Sequence, residues 1–185
     1  MARVFINPGH HPGVDPGAGN GSYNVNEADI VRDIGALVAD YLSAAGCEVK
    51  VLQSNNLTGE DRQYPNVCAS ANNWPADIFV SLHCNSAQAS SAKGTEVLVY
   101  SRWSKAEKLG SCILRQIVDS LDTINRGVKE RPGLVVLNST NMPAVLVELA
   151  FISNDADCRL LMLHKDDFAR AVARGVTDYL AERGA

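Results

Sequence analysis

Short apolar runs alternate along the chain with longer stretches in which apolar residues recur every three or four positions. Residues 3–6 open as a strand. From Asn26 onward, Ile30, Val31, Ile34, Leu37, Val38, Tyr41 and Leu42 share one helical face, and Gly46 stands where such a helix ends. Val49 and Val51 alternate with charges and predict a strand over 48–52. Residues 77–83 read as a buried strand and 95–100 as another. Leu109, Cys112, Ile113, Gln116, Ile117 and Leu121 predict a helix over 105–124. Two more strands are expected at 133–137 and 144–149. Helices are expected at 59–74, with Pro65 shortening or starting it, and at 155–163 and 166–182. This alternation predicts an α/β sheet flanked by helices. No internal repeat or composition break divides the chain, so residues 1–185 are expected to form a single domain. Polar segments at 15–24, 54–59 and 85–94 read as loops. In open α/β sheets the ligand site lies outside the carboxyl ends of the strands, where such loops begin.

Composition narrows the function classes. Hydrophobic residues make up 46% and charged residues 21% of the 185, which is ordinary for a globular protein. A net charge of −4 with no basic stripe argues against nucleic acid as a partner, and against unaided attraction to an anionic wall. No apolar run reaches the roughly 18 residues that a membrane span needs. Met1 leads straight into the first strand without the regions of a signal peptide. The expectation is release by another route, release from phage, or excision from a longer protein. Cys47, Cys68, Cys84, Cys112 and Cys158 are widely spaced, with no Cys-x-x-Cys pair, and read as small buried apolar residues rather than a disulfide framework.

Four ionisable residues stand where apolar surroundings make charge costly. His83 ends the run Ile78-Phe79-Val80-Ser81-Leu82, and Glu148 interrupts the apolar stretch 142–152. His10 follows Gly9 in a Pro/Gly-rich loop after the first strand, and Glu27 opens the first long helix. Each has an ordinary explanation. His10 could be a turn histidine, and His11 competes with it for any ligand role. Glu27 favours a helix start through the macrodipole, with Asn26 as a cap. His83 could be a hydrogen-bonded core histidine, while Cys84 next to it should face away along an extended strand. Glu148 could pair with Arg126 or Arg131. The favoured alternative is a carboxylate beside a metal-activated water, its pKa raised toward a useful general-base value. Two imidazoles and one carboxylate make a familiar catalytic zinc set with a coordination position left open.

The same residues carry a family resemblance. Asn7-Pro8-Gly9-His10, Asp15-Pro16-Gly17-Ala18, Glu27, and the block from Ala76 to Asn85 that contains Ser81-Leu82-His83 resemble the zinc-dependent N-acetylmuramoyl-L-alanine amidases of the Amidase_3 type. Asn125-Arg126-Gly127-Val128-Lys129 and the block from Met142 to Asn154 are similar to later blocks of that family. The resemblance implies that His10, Glu27 and His83 hold one zinc ion, and that Glu148 is the catalytic acid/base. It implies Asn85 and Arg126 as substrate contacts, and peptidoglycan of the bacterial cell wall as the substrate. With a net charge of −4 and no aromatic-rich repeat, a separate wall-binding module or partner is expected to help with targeting. The resemblance also implies a twisted mixed sheet of about six strands with helices on both faces. Asn7 stands where an acid is common before Pro-Gly-His, and His11-Pro12 occupies positions where glycines are usual. Two other readings of these residues are another zinc-dependent cell-wall peptidase and a catalytically silent peptidoglycan-binding module.

Overall fold

The computed structural model describes residues 1–184. Strand β1 (Arg3–Pro8) leads into a loop holding the short strands β2 (Gly19–Asn20) and β3 (Val25–Asn26), followed by helix α1 (Glu27–Ala44). The chain continues through β4 (Glu48–Val51), α2 (Val67–Asn73), β5 (Ile78–Asn85), β6 (Thr95–Val99) and α3 (Lys105–Leu121). It closes with β7 (Asn125–Glu130), α4 (Val135–Asn138), β8 (Ala144–Phe151), α5 (Asp155–Leu163) and α6 (Lys165–Gly184).

Six strands form one mixed sheet in the order β4-β1-β5-β8-β6-β7, and β2 pairs with β3 apart from it. β4, β1, β5 and β8 run parallel, whereas β6 is antiparallel to β8 and carries β7 parallel to itself. That reversal brings the starts of β6 and β7 to the same end of the sheet as the finishes of β1, β5 and β8. The inner strands β5 and β8 are covered on both faces, which is why they read as almost continuous apolar runs. On one face, Ile34 of α1, Leu109 and Ile113 of α3, and Phe168 of α6 share a core with Val80 and Val147. On the other, Phe5, Phe79 and Leu146 pack with Val67 of α2 and Val136 of α4. Helices therefore cover both faces.

Local chemistry sets α1 over the end of β1. The Asn26 side chain accepts the Asp29 N–H at 3.0 Å, capping the helix one residue before Glu27. Gly35 then permits close approach, because a Cβ there would lie 2.7 Å from Pro8 Cγ. The outcome is that Glu27, in the first turn of α1, hangs above the ends of β1 and β5.

The structure departs from the sequence expectation in four places. Residues 133–137 are not a strand. They form a turn and the short helix α4, in which Val136 and Leu137 bury against Leu98 and Leu146. A four-residue apolar run fits either a strand or one helical turn, and packing decides between them. The missing strand is β7, whose sequence Asn-Arg-Gly-Val-Lys-Glu is polar because it forms the sheet edge, with Gly127 at φ 86° near a register shift. Only the end of 59–74 is helical, since Asn56 binds the carbonyls of Gly59 and Tyr64 and holds the preceding stretch as turns. Finally, α3 stops at Leu121, where Asp122 adopts a left-handed φ of 52°. The five cysteines are free thiols, four of them buried.

Candidate metal centre

His10, Glu27 and His83 converge where β1, α1 and β5 meet. Their ligand atoms all lie within 4.8 Å of one another. The Glu27 carboxylate bridges the two imidazoles, with His10 Nε2 at 3.2 Å from one oxygen and His83 Nδ1 at 2.9 Å from the other. Each oxygen also accepts a backbone N–H, one from Ala18 at 3.0 Å and one from Cys84 at 2.9 Å. The rings of His10 and His83 meet edge to face at 5.1 Å. Two glycines make room for this arrangement. A Cβ on Gly9 would strike the His83 ring at 2.2 Å, and one on Gly17 would come within 2.7 Å of both Glu27 and His10.

The electrostatics follow from the geometry. The hydrogen bond that His10 donates to Glu27 pushes the imidazole up to about 9 against the opposing effect of burial, with Asp15 adding to the rise. Burial opposes charge on Glu27, yet hydrogen bonds from His10 and His83 hold its carboxyl well below the usual carboxylate range. A buried anion thus sits between two nitrogen donors, with glycine-made space around it. This donor set of two nitrogens and one oxygen fits a zinc ion.

Glu148 lies directly across from His83 in the β5–β8 pairing. Its Oε2 is buried and has no hydrogen-bond partner among the described residues. Burial first, then the nearby charges of Glu27 and Glu96, push its carboxyl up to about 8. The alternative of an arginine pair is not realised, because Arg126 Nε donates instead to Glu96 Oε2 at 2.9 Å, and Arg131 Nη1 donates to the Glu130 carbonyl. Glu148 is therefore an unpaired, buried acid beside the histidine–glutamate cluster.

His11 does not join that cluster. It bridges Asp15 through the backbone, and its ring packs edge to face on Tyr64 at 5.2 Å. Asn7 is also remote from the cluster in its bonding: its side chain donates to the carbonyls of Leu52 and Pro8 and accepts from Ser81 Oγ. Asn85 turns its Oδ1 onto the Ser86 amide at the end of β5. Cys84 points into the core opposite, as strand alternation predicts. Sequence reasoning missed Asp15, whose Oδ2 lies 2.7 Å from His10 Nδ1 and leaves Nε2 to face Glu27. A carboxylate on the outward nitrogen of a metal-binding histidine is a recurrent arrangement, so an acid five positions after a candidate ligand in a tight Pro/Gly loop was the available signal. The cluster opens onto a cleft of about 270 Å³, walled by Asn55, Leu57, Leu134, Val135, Val136 and Leu146.

Comparison with known proteins gives the geometry its context. A profile of the family Amidase_3, N-acetylmuramoyl-L-alanine amidase, matches residues 4–178. The uncharacterised protein YqiI of Bacillus subtilis (strain 168) is 39% identical over 183 residues, an overlap of 95% of this chain and 84% of that protein. The N-acetylmuramoyl-L-alanine amidase LytC of the same organism is 33% identical over 180 residues, which span 95% of this chain but 35% of LytC. Among solved structures, the amidase AmiC2 of Nostoc punctiforme superposes with a TM-score of 0.85 at 28% identity, covering 97% of each chain. An N-acetylmuramoyl-L-alanine amidase from Clostridium difficile 630 gives the same TM-score and identity, with 99% of this chain and 98% of that one covered. His10, Glu27, His83 and Glu148 all fall inside the matched span, and the chain belongs to the N-acetylmuramoyl-L-alanine amidase family.

Proposed function

We propose that this amidase acts on peptidoglycan at the bacterial cell wall through one zinc ion held by His10, Glu27 and His83, with Glu148 moving the proton. The bond cut joins the lactyl group of N-acetylmuramic acid to the L-alanine of the stem peptide. The observation that carries the reading is the placement of an unpartnered buried carboxyl, Glu148, opposite a ligand of a three-donor cluster. When bound, zinc supplies Lewis acidity toward the scissile carbonyl and toward water.

The chain's own residues do the rest. Glu27 brings a negative charge that its two N–H donors keep in place, and His10 is aimed by Asp15. Glu148, ionised under the field of a nearby cation, accepts a proton from the attacking water at Oε2. As the new C–O bond forms and the C–N bond breaks, Glu148 returns that proton to the departing alanine nitrogen. Asn85, two residues beyond His83 at the end of β5, is assigned a substrate contact. No helix among the described residues is long and apolar enough to cross a membrane. With a net charge of −4, wall targeting is assigned to a separate wall-binding module or partner. Residues 1–185 would serve as the single catalytic unit.

The reading is tested on purified peptidoglycan, with zinc content measured on the same sample. Glu148→Ala should retain one zinc per chain while turnover falls on the order of 10²–10⁴-fold. His83→Ala should lose the zinc. New N-terminal alanine amines mark amidase action, other new termini mark a peptidase, and none with zinc bound marks a silent binding module. Wild-type turnover by Glu148→Ala would remove it from the mechanism.

A further inference from the structure

On the side of Glu148 away from His83, the sheet carries a second charged group. Glu96, at the start of β6, lies directly opposite Glu148 in the antiparallel pairing and is 7% exposed. Its Oε2 accepts Arg126 Nε at 2.9 Å and Lys129 Nζ at 2.6 Å, both from the edge strand β7. Arg126, Lys129 and Glu96 as a group carry one net positive charge, in a protein whose overall charge is −4. Arg126 is further fixed by its guanidinium over the Phe151 ring at 4.8 Å and by Nη1 on the Lys93 carbonyl at 3.3 Å. These contacts use one Lys129 proton and two of the arginine nitrogens, so donors remain on both side chains, each about one-third exposed. The cleft on the other side of the cluster has no lysine or arginine in its lining.

We infer that Arg126 and Lys129 form a carboxylate subsite that draws the acidic stem peptide toward β7, leaving the uncharged sugar and lactyl portion to the opposite cleft. The inference rests on the amidase reading of the same site and adds the direction in which the substrate lies. Adjacent strands are about 4.8 Å apart, so β7 runs roughly 10 Å from β8. An extended peptide covers at most about 3.6 Å per residue, so a carboxylate on the residue after the alanine comes within reach of two long cationic side chains. Anchoring by Glu96, Phe151 and Lys93 lowers the ordering cost of binding, as expected of a preorganised site. A purely structural ion pair would need one cation for Glu96; the second gives the group its attraction for an anion.

The test uses two soluble probes, N-acetylmuramoyl-L-alanyl-D-glutamate and the same molecule with its carboxylates converted to carboxamides. Zinc-loaded wild type should prefer the acid by about tenfold in kcat/KM, the scale of one charge-assisted contact at a partly exposed site. In Arg126→Gln/Lys129→Gln/Glu96→Gln, which strands no buried carboxylate, that ratio should fall to about one. Glu96→Gln alone keeps both cations and should hold or raise the preference, which a merely structural role would not do. Equal use of both probes by wild type, or an unchanged ratio in the triple variant, overturns the subsite. If zinc-loaded wild type frees no alanine amine from either probe or from peptidoglycan, the amidase reading fails separately. Calorimetric titration of both probes then reads the subsite directly: acid-selective binding lost in the triple variant supports it, and indifferent binding sinks it.

Discussion

His10 occupies a left-handed conformation, φ 59°, that few residues other than glycine adopt, and Asp15 is what makes that placement useful. The backbone bridge between His11 and Asp15 closes a tight loop, and the loop returns the Asp15 carboxylate to His10 Nδ1. A second Asp15 oxygen accepts the Gly17 amide, so the carboxylate is itself held. Asp15→Ala should weaken zinc binding by about 10–100-fold, because the imidazole loses both its orientation and part of its basicity. Asp15→Asn, which still offers an oxygen to Nδ1, should recover part of the loss. Competition with a chelator of known affinity measures both. Zinc affinity equal to wild type in Asp15→Ala would show that the loop alone orients His10. The neighbouring His11 illustrates the limit of reading residue types: two adjacent histidines look alike in sequence, and only the backbone turn sends one toward Glu27 and the other toward Tyr64.

At the scale of elements, the loop from β1 to α1 shapes the cluster as much as the ligands do. Gly17→Ala should both strain a backbone at φ 68° and push a methyl into Glu27 and His10, so zinc stoichiometry and melting temperature should fall together. Gly13→Ala isolates the first effect, because φ is 81° there but nothing lies within 4 Å of the added methyl. It should cost about 1 kcal/mol while keeping zinc. Equal zinc binding by the two variants would contradict the steric argument. The long periodic helices α1 and α3 and the buried strands β5 and β8 were legible in the sequence, since burial of a face or of both faces imposes the pattern. β7 was not, because an edge strand with one exposed side keeps charged residues, and α4 was misread because four apolar residues carry no period. The four ionisable residues in apolar surroundings could be picked out from sequence. Their convergence could not, because it depends on β1, β5 and β8 lying side by side. Nor could the Glu96 group, which reaches this end of the sheet only through the reversed direction of β6.

For the whole molecule, the same site couples stability, pH and metal. In the metal-free chain, hydrogen bonding to Glu27 raises His10 from 6.5 to about 9, and burial raises Glu148 from 4.5 to about 8. Both groups therefore hold protons in the folded state that the unfolded chain has already released. Stability in that form falls as pH rises through those windows, fully favourable below the unfolded values and lost above the folded ones. Glu27 works in the opposite sense: its carboxyl is lowered, so its contribution is present above 4.5 and disappears only in acid. Zinc reverses the upper part of this profile. Its ligands must be deprotonated, so binding displaces the His10 proton and strengthens as pH rises. A cation beside Glu148 likewise favours the carboxylate and relieves the cost of ionising it. The gap in melting temperature between zinc-loaded and chelated protein should thus widen from about pH 6 to about pH 9, as the chelated form weakens and the loaded form holds. Glu148→Gln should flatten the decline of the chelated form between about pH 5 and about pH 8, since no carboxylate is then forced to ionise in a buried place. A gap that stays constant across this range, in a protein that binds zinc stoichiometrically at each pH, would mean that the ion does not compete with the His10 proton and is held elsewhere.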